Sequence, residues 1–255
     1  MKALRMVGFV AASVCGLGAF GQNVPSSDQH GQRVVLVELF TSEGCSSCPP
    51  ADALLRKLDG KRTADGLLIV GLGEHVTYWD SQAWQDRFSA DVFTERQKAY
   101  GDRFRLDDVY TPQMVVNGQS QVNGSDGVAV ARAIQAANAS GVGLEISTAR
   151  AAEGKVTLTY VLRGDVPPHA EVWAAVTDDQ ATSNVKGGEN GGRLLEHVAV
   201  ARSLTLVGAA RAEKSTISVK EPKVLQGQEK TGRHVVVFVQ EAGAGNILAV
   251  ESHAL

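Results

Sequence analysis

Two cysteines set between a buried strand and the start of a helix constrain this chain more than any other feature. Val34-Val35-Leu36-Val37-Glu38-Leu39-Phe40 is a near-continuous β-branched and apolar run. That is the pattern of a strand covered on both faces of a sheet. Thr41-Ser42-Glu43-Gly44 follows, then Cys45-Ser46-Ser47-Cys48, then Pro49-Pro50. Prolines suit a first helical turn, where their missing N–H groups cost least. Ala53, Leu54, Leu55 and Leu58 give that helix an apolar stripe, and Gly60 closes it. Leu67–Leu72 reads as a second buried strand, so the spacing predicts a βαβ unit with the CxxC at its first strand-to-helix turn.

The placement has chemical consequences. A helix N-terminus offers unpaired N–H groups and positive potential, both of which favour a thiolate. The thiolate is the attacking species in disulfide exchange. Cys45 is therefore the expected nucleophile, and Cys48, one turn on, the resolving thiol. An inert buried disulfide is the plain alternative, but a loop this short adds little chain-entropy stability. A second CxxC would have suggested structural zinc, and the sequence has none.

The N-terminal segment reads as a secretory signal peptide over residues 1–21. Lys2 and Arg5 precede the uncharged stretch Val7–Phe20, and Ala19-Phe20-Gly21 resembles a cleavage site. Cleavage removes Cys15 and two positive charges, taking the net charge from −3 to −5 (−3 minus 2). Residues 22–33 are a polar, flexible lead-in. The acidic balance argues against a nucleic-acid partner. The six histidines show no HExxH spacing, which argues against a zinc-hydrolase site. No later segment is long and apolar enough to span a membrane, so the mature chain is expected not to be membrane-embedded.

Beyond the βαβ unit, Ser81–Phe88 and Ser89–Tyr100 read as two short helices with serine N-caps. Tyr110-Thr111-Pro112 leads into a strand at Gln113–Val116, Asn117-Gly118 reads as a hairpin turn, Ser120–Val122 returns, and Asp126–Asn138 is a helix. Composition changes after Ser140-Gly141. Seven strands are predicted beyond it: Leu144–Thr148, Val156–Leu162, Glu171–Thr177, Val198–Leu206, Ser215–Val219, Val235–Gln240 and Ile247–Val250. The expected organisation is an α/β domain at 34–140 followed by a separate all-β, sandwich-like module at 142–255.

With these residues in view, the chain resembles the thioredoxin-like superfamily: a strand, Cys45-Ser46-Ser47-Cys48, a helix, and Thr111-Pro112 before a later strand. The resemblance implies a thioredoxin-like domain with a cis-proline at 112 beside the CxxC, and Thr111 and Trp79 lining a partner groove. More narrowly, the chain is similar to the secreted DUF1223 family. The matching stretches are Glu38–Asp52, His75–Asp80, Tyr110–Gly118 and Gly188-Glu189-Asn190. Two positions depart from ordinary thioredoxins: Gly44 replaces the usual tryptophan, and Ser46-Ser47 replaces Gly-Pro.

Other polar residues carry paired readings. The resemblance gives Glu38 the role of buried proton acceptor for Cys48; the alternative is a pairing with arginine or backbone. Glu43 is expected to be exposed in its turn. His75 follows the second strand and is either a base, a third metal ligand with Cys45 and Cys48, or a hydrogen-bonded loop histidine. Trp79 and Trp84 read as core or groove walls. Glu189, Asn190, Arg193 and His197 form a polar cluster in or after the glycine-rich stretch Lys186–Gly192, read as a solvated, mobile loop.

The functional expectation is a periplasmic or secreted thiol–disulfide oxidoreductase with no cofactor, acting on thiol or disulfide proteins. The alternatives are a Cu(I) binder using Cys45, Cys48 and His75, since soft thiolates select Cu(I), or a binding module without a redox cycle.

Overall fold

Eight strands pair into one mixed sheet that runs straight across the expected domain boundary. The computed structural model describes Met1 and residues 33–138, 140–228 and 231–255. The signal peptide expected over residues 1–21, apart from Met1, and all of the lead-in but residue 33 lie outside the described residues. The first half contributes β1 (Val34–Thr41), α1 (Pro49–Leu58), β2 (Leu68–His75), α2 (Asp91–Phe104), β3 (Gln113–Val116), β4 (Ser120–Asn123) and α3 (Gly127–Ala136). The second contributes β5 (Gly143–Ala152), β6 (Lys155–Arg163), β7 (Glu171–Asn184), β8 (Leu194–Ala209), β9 (Lys214–Lys220), β10 (Arg233–Gln240) and β11 (Ile247–Ala254).

The large sheet has the order β11-β10-β7-β8-β2-β1-β3-β4, and β5-β6-β9 form a small second sheet. An α/β thioredoxin-like domain followed by a separate all-β module is therefore not the architecture. All seven strands expected after residue 142 are present, but four of them belong to the same sheet as β1 and β2. The seam is a parallel contact at Gly73↔Val200. Glycine suits that seam, since a Cβ at 73 would stand only 3.2 Å from the Val198 carbonyl oxygen. The described residues from 33 to 255 form one compact unit.

Alternation along the strands divides the core. Val35, Val37 and Leu39 pack under Ala51 and Leu55 of α1 and under Val130 and Ile134 of α3. On the opposite face Leu36, Val70 and Leu72 join Phe93 of α2 and Ala175, Val236 and Phe238 of β7 and β10 in one cluster. That continuous layer unites the two halves of the chain. The small sheet packs Val156, Leu158 and Leu162 on Val172, Ala174, Val235 and Val237.

Two local expectations also change. Ser81–Phe88 forms no helix. There the Ser81 hydroxyl accepts the N–H groups of Ala83 and Trp84, Asp80 accepts that of Asp86, and Asp86 accepts that of Phe88. Side-chain acceptors compete with helical carbonyls in this way. Helix α2 starts from Ala90, which provides no side-chain cap; the Ser89 hydroxyl instead donates to Asp80 and to the Asp86 carbonyl. No helix among the described residues is long and apolar enough to cross a membrane.

Candidate functional site

The C-terminal ends of β1 and β2 and the start of α1 meet at one place, and the cysteines lie there. Cys45 and Cys48 are joined as a disulfide. Both are fully buried, while Ser46 and Ser47 between them are exposed. Cys48 is the N-cap of α1, with Pro49 and Pro50 at the next two positions. Its N–H donates to the Cys45 carbonyl at 3.2 Å, and its own carbonyl accepts the N–H groups of Ala51 and Asp52. The Cys48 N–H is thus engaged by the Cys45 carbonyl and does not point to the Cys45 sulfur as an unpaired helix N–H would. The polar contact at the sulfur is with the Ser47 hydroxyl, 3.4 Å from Cys45 Sγ.

Behind the disulfide lies a buried acid–histidine cluster. Glu43 is not exposed in its turn but fully buried. Its N–H donates to Asp86, and its Oε2 accepts the Trp84 indole N–H at 2.9 Å. Asp52, one turn along α1 from Cys48, accepts the Thr41 hydroxyl. His197 of β8 stands between these two acids, with Nδ1 3.4 Å from Asp52 Oδ1 and Nε2 3.6 Å from Glu43 Oε1. Burial opposes a charge on His197, but the hydrogen bond to Asp52, the close approach of Glu43 and the charge of both carboxylates outweigh it and push its pKa up to about 10.

His75 ends β2 on the same side. Its Nδ1 lies 2.7 Å from Asp86 Oδ2, and its ring stands edge-on to His197 with centroids 4.7 Å apart. Burial raises the Asp86 carboxyl, but His75 and the N–H groups of Glu43 and Phe88 more than offset that and hold it below the usual range. Glu43 Oε1, His75 Nε2 and His197 Nε2 are buried without hydrogen-bond partners. Among the described residues, no group of three or more His, Cys, Asp or Glu side chains is arranged to hold a metal ion. That includes Cys45, Cys48 and His75, whose two sulfurs are bonded to each other.

The remaining sequence candidates fall into two groups. Trp79, Thr111 and Pro112 gather at the site. The Thr111–Pro112 peptide is cis. The Trp79 indole N–H donates to the Thr111 hydroxyl at 2.7 Å, and the Trp79 carbonyl oxygen and Cβ lie within 3.1 Å of where a Cβ on Gly44 would stand. A Cβ on Gly124 would touch both Pro112 and Ala51, which places the proline against the first turn of α1. Glu38 goes elsewhere. It shares a strand face with Phe40, which packs on α2, and it is opposite in parity to Leu39, which packs on α1. Its carboxylate is held by Arg96 and by the Tyr100 hydroxyl at 2.6 Å. It therefore takes the arginine pairing weighed as its alternative.

The glycine-rich loop is not simply solvated. Asn190 is fully buried, and its Nδ2 donates to the carbonyls of both Glu43 and Cys45 at 2.9 Å. The exposed Glu189 accepts the Ser46 N–H at 3.1 Å. The sequence did not single out Asp52 or Asp86, and it placed His197 only in the polar cluster of a solvated loop. One signal was available for His197: in Leu195-Glu196-His197-Val198-Ala199 it shares the parity of the apolar Leu195 and Ala199 and alternates with Glu196.

Comparison with known proteins gives a family and a fold. A crystallised protein from Agrobacterium tumefaciens is 28% identical over 87% of this chain and 93% of its own, with a TM-score of 0.62. A domain of the outer membrane lipoprotein Omp28 from Porphyromonas gingivalis is 14% identical over 44% of this chain and 86% of its own, with a TM-score of 0.31, too slight to speak for a shared fold. No curated protein matches. The family described as protein of unknown function (DUF1223) matches residues 36–240. With that match spanning most of its length, the chain belongs to the DUF1223 family.

Proposed function

We propose that this chain is a thiol–disulfide oxidoreductase that works outside the cytoplasm through Cys45 and Cys48. One observation carries the reading: the disulfide sits at the start of α1, and the acids two residues before it and four residues after it, Glu43 and Asp52, are buried around His197 from the far half of the chain. A disulfide that only stapled the fold would close a longer loop and would need no such neighbours. Disulfides persist in oxidising compartments, which supports the periplasmic or secreted location read from the N-terminal segment.

In this reading a partner thiolate attacks Cys45 Sγ. The Cys45–Cys48 bond breaks, Cys48 leaves as a thiolate and takes up one proton. A second partner thiol, losing its proton, attacks the mixed disulfide, so the partner is oxidised by two electrons and Cys45 leaves reduced. Residues four apart on a helix lie on one face, so Asp52, with His197 against it, is the proton-handling group for Cys48. Trp79, Thr111 and Pro112 form the wall that meets the partner chain.

The test is a trap. Cys48→Ser, produced in its own compartment, should accumulate mixed disulfides through Cys45, and Cys45→Ser should accumulate almost none. Empty traps from both variants, together with stoichiometric Cu(I) uptake by the reduced wild type, would replace exchange with metal binding.

A further inference from the structure

The turn that carries the disulfide is bonded through its backbone to a segment that is distant in sequence. Both cysteines are fully buried, yet the two serines between them face solvent. The loop 186–192 lies against this turn. Asn190 donates to the carbonyls of Glu43 and Cys45, and Arg193 donates to Asn190 Oδ1 at 2.7 Å, which fixes the amide's orientation. Glu189 accepts the Ser46 N–H, and its carboxylate is held below the usual range by its hydrogen bonds with Ser46. The two residues thus hold both polar groups of the Cys45–Ser46 peptide unit, and Asn190 also holds the Glu43–Gly44 unit. On its other edge the loop rests on the 81–84 turn: a Cβ at Gly187 would stand 2.1 Å from the Ala83 carbonyl oxygen.

We infer that residues 186–192 are a strap that closes over Cys45–Cys48, and that Glu189 and Asn190 set the rate at which a thiol reaches the disulfide. The inference deepens the exchange reading and rests on it for its biological meaning, but the gating itself is independent of any physiological partner. Attack on Cys45 needs a nucleophile in line with the sulfur–sulfur bond, and the turn that carries Cys45 is gripped by the strap. Release frees the Ser46 N–H and the Glu43 carbonyl, and leaves the Cys45 carbonyl with the Cys48 N–H as its partner. Those are the backbone groups that an extended partner segment uses when it lies alongside. The partner class is therefore a polypeptide thiol whose backbone replaces Glu189 and Asn190 at the turn, rather than a small soluble thiol.

The experiment measures reduction of the full-length oxidised protein by dithiothreitol, followed by trapping of the freed thiols. Asn190→Ala removes two buried hydrogen bonds, and each is worth a few-fold in an opening equilibrium, so reduction should accelerate roughly tenfold. Glu189→Ala should accelerate it less, since it loses one exposed bond. Gly187→Ala keeps both gripping side chains and only lifts the strap off the Ala83 carbonyl, so it too should accelerate reduction. All three should keep the wild-type near-ultraviolet circular dichroism. Wild-type reduction rates in all three variants would overturn the strap, as would acceleration that appears only with loss of that signal. A strap that passes this test in a protein whose Cys48→Ser trap is empty would stand while the exchange function fell.

Discussion

Arg96→Leu should destabilise the protein by about 3–5 kcal/mol, the cost of stranding a buried charge by removing its partner. Arg96 is buried on the α2 face of the sheet, where its Nε pairs with Glu38, its Nη1 donates to Gln240 and its Nη2 donates to Tyr100. Glu74, also fully buried, lies 3.6 Å from the same Nε. Burial opposes the arginine's charge, but Glu38, Tyr100 and Glu74 more than compensate and hold it charged. Burial, and then the charge of Glu38, push the Glu74 carboxyl well above its ordinary range, and Arg96 pulls it only partly back. The guanidinium also stands over the rings of Tyr100, Trp173 and Phe238, 5.0–5.6 Å from their centroids. One side chain therefore joins β1, β2, α2, β7 and β10. The urea midpoint of Arg96→Leu should fall at unchanged slope. Pairing it with Glu38→Gln should recover part of the loss, because the carboxylate left behind is then neutral. A midpoint shift within that of an ordinary surface substitution would show that the network holds nothing together.

The second large effect is one of pH. His197 titrates near 6.5 in an unfolded chain and at about 10 in the folded one. A raised folded pKa means that the folded state binds the proton more tightly. The stability from this group is thus fully present below about pH 6.5 and is lost as pH rises toward about 10, at roughly 1.4 kcal/mol per pH unit. Glu43 and Asp52 set this behaviour, while the rings of His75, itself paired with Asp86, and Phe88 stand edge-on to His197. His197→Gln should remove it. Urea unfolding of the two oxidised proteins at pH 6, 8 and 10 should show the wild-type advantage shrinking at each step. An advantage independent of pH would mean that His197 is neutral in the fold.

What could be read in the sequence was what neighbouring residues decide. The run Val34–Phe40, the two prolines after Cys48 and the apolar stripe through Leu55 fix a strand, a turn and a helix from contacts a few residues apart. The seven later strands announce themselves by alternation. The change of composition at Ser140-Gly141 looked like a domain boundary because it marks where helices stop. Strand pairing, however, is set by partners far along the chain, and the seam at Gly73↔Val200 has no local signature. The site shows the same divide. Cys45 and Cys48 were legible because a CxxC at a helix start carries its chemistry with it. The burial of Glu43 was not, because it depends on Trp84, Asp86 and His197, and the last of these arrives on β8 from the far half of the chain. Glu38 was misplaced for a related reason. A buried acid on that strand has two faces to choose from, and only the position of Arg96 on α2 shows which one it takes.

Whether Cys45–Cys48 exchanges, as proposed, or only staples the fold is tested most directly by its reduction potential. The oxidised protein is equilibrated in glutathione buffers of graded ratio, and the dithiol fraction is counted after acid quench and alkylation. Exchange-active pairs lie between roughly −120 and −270 mV, whereas structural disulfides of secreted proteins lie below about −300 mV. An exchanging pair should show a value inside the first range, unchanged in Asn190→Ala, whose strap alters the rate and not the equilibrium between dithiol and disulfide. A potential below about −300 mV would contradict exchange.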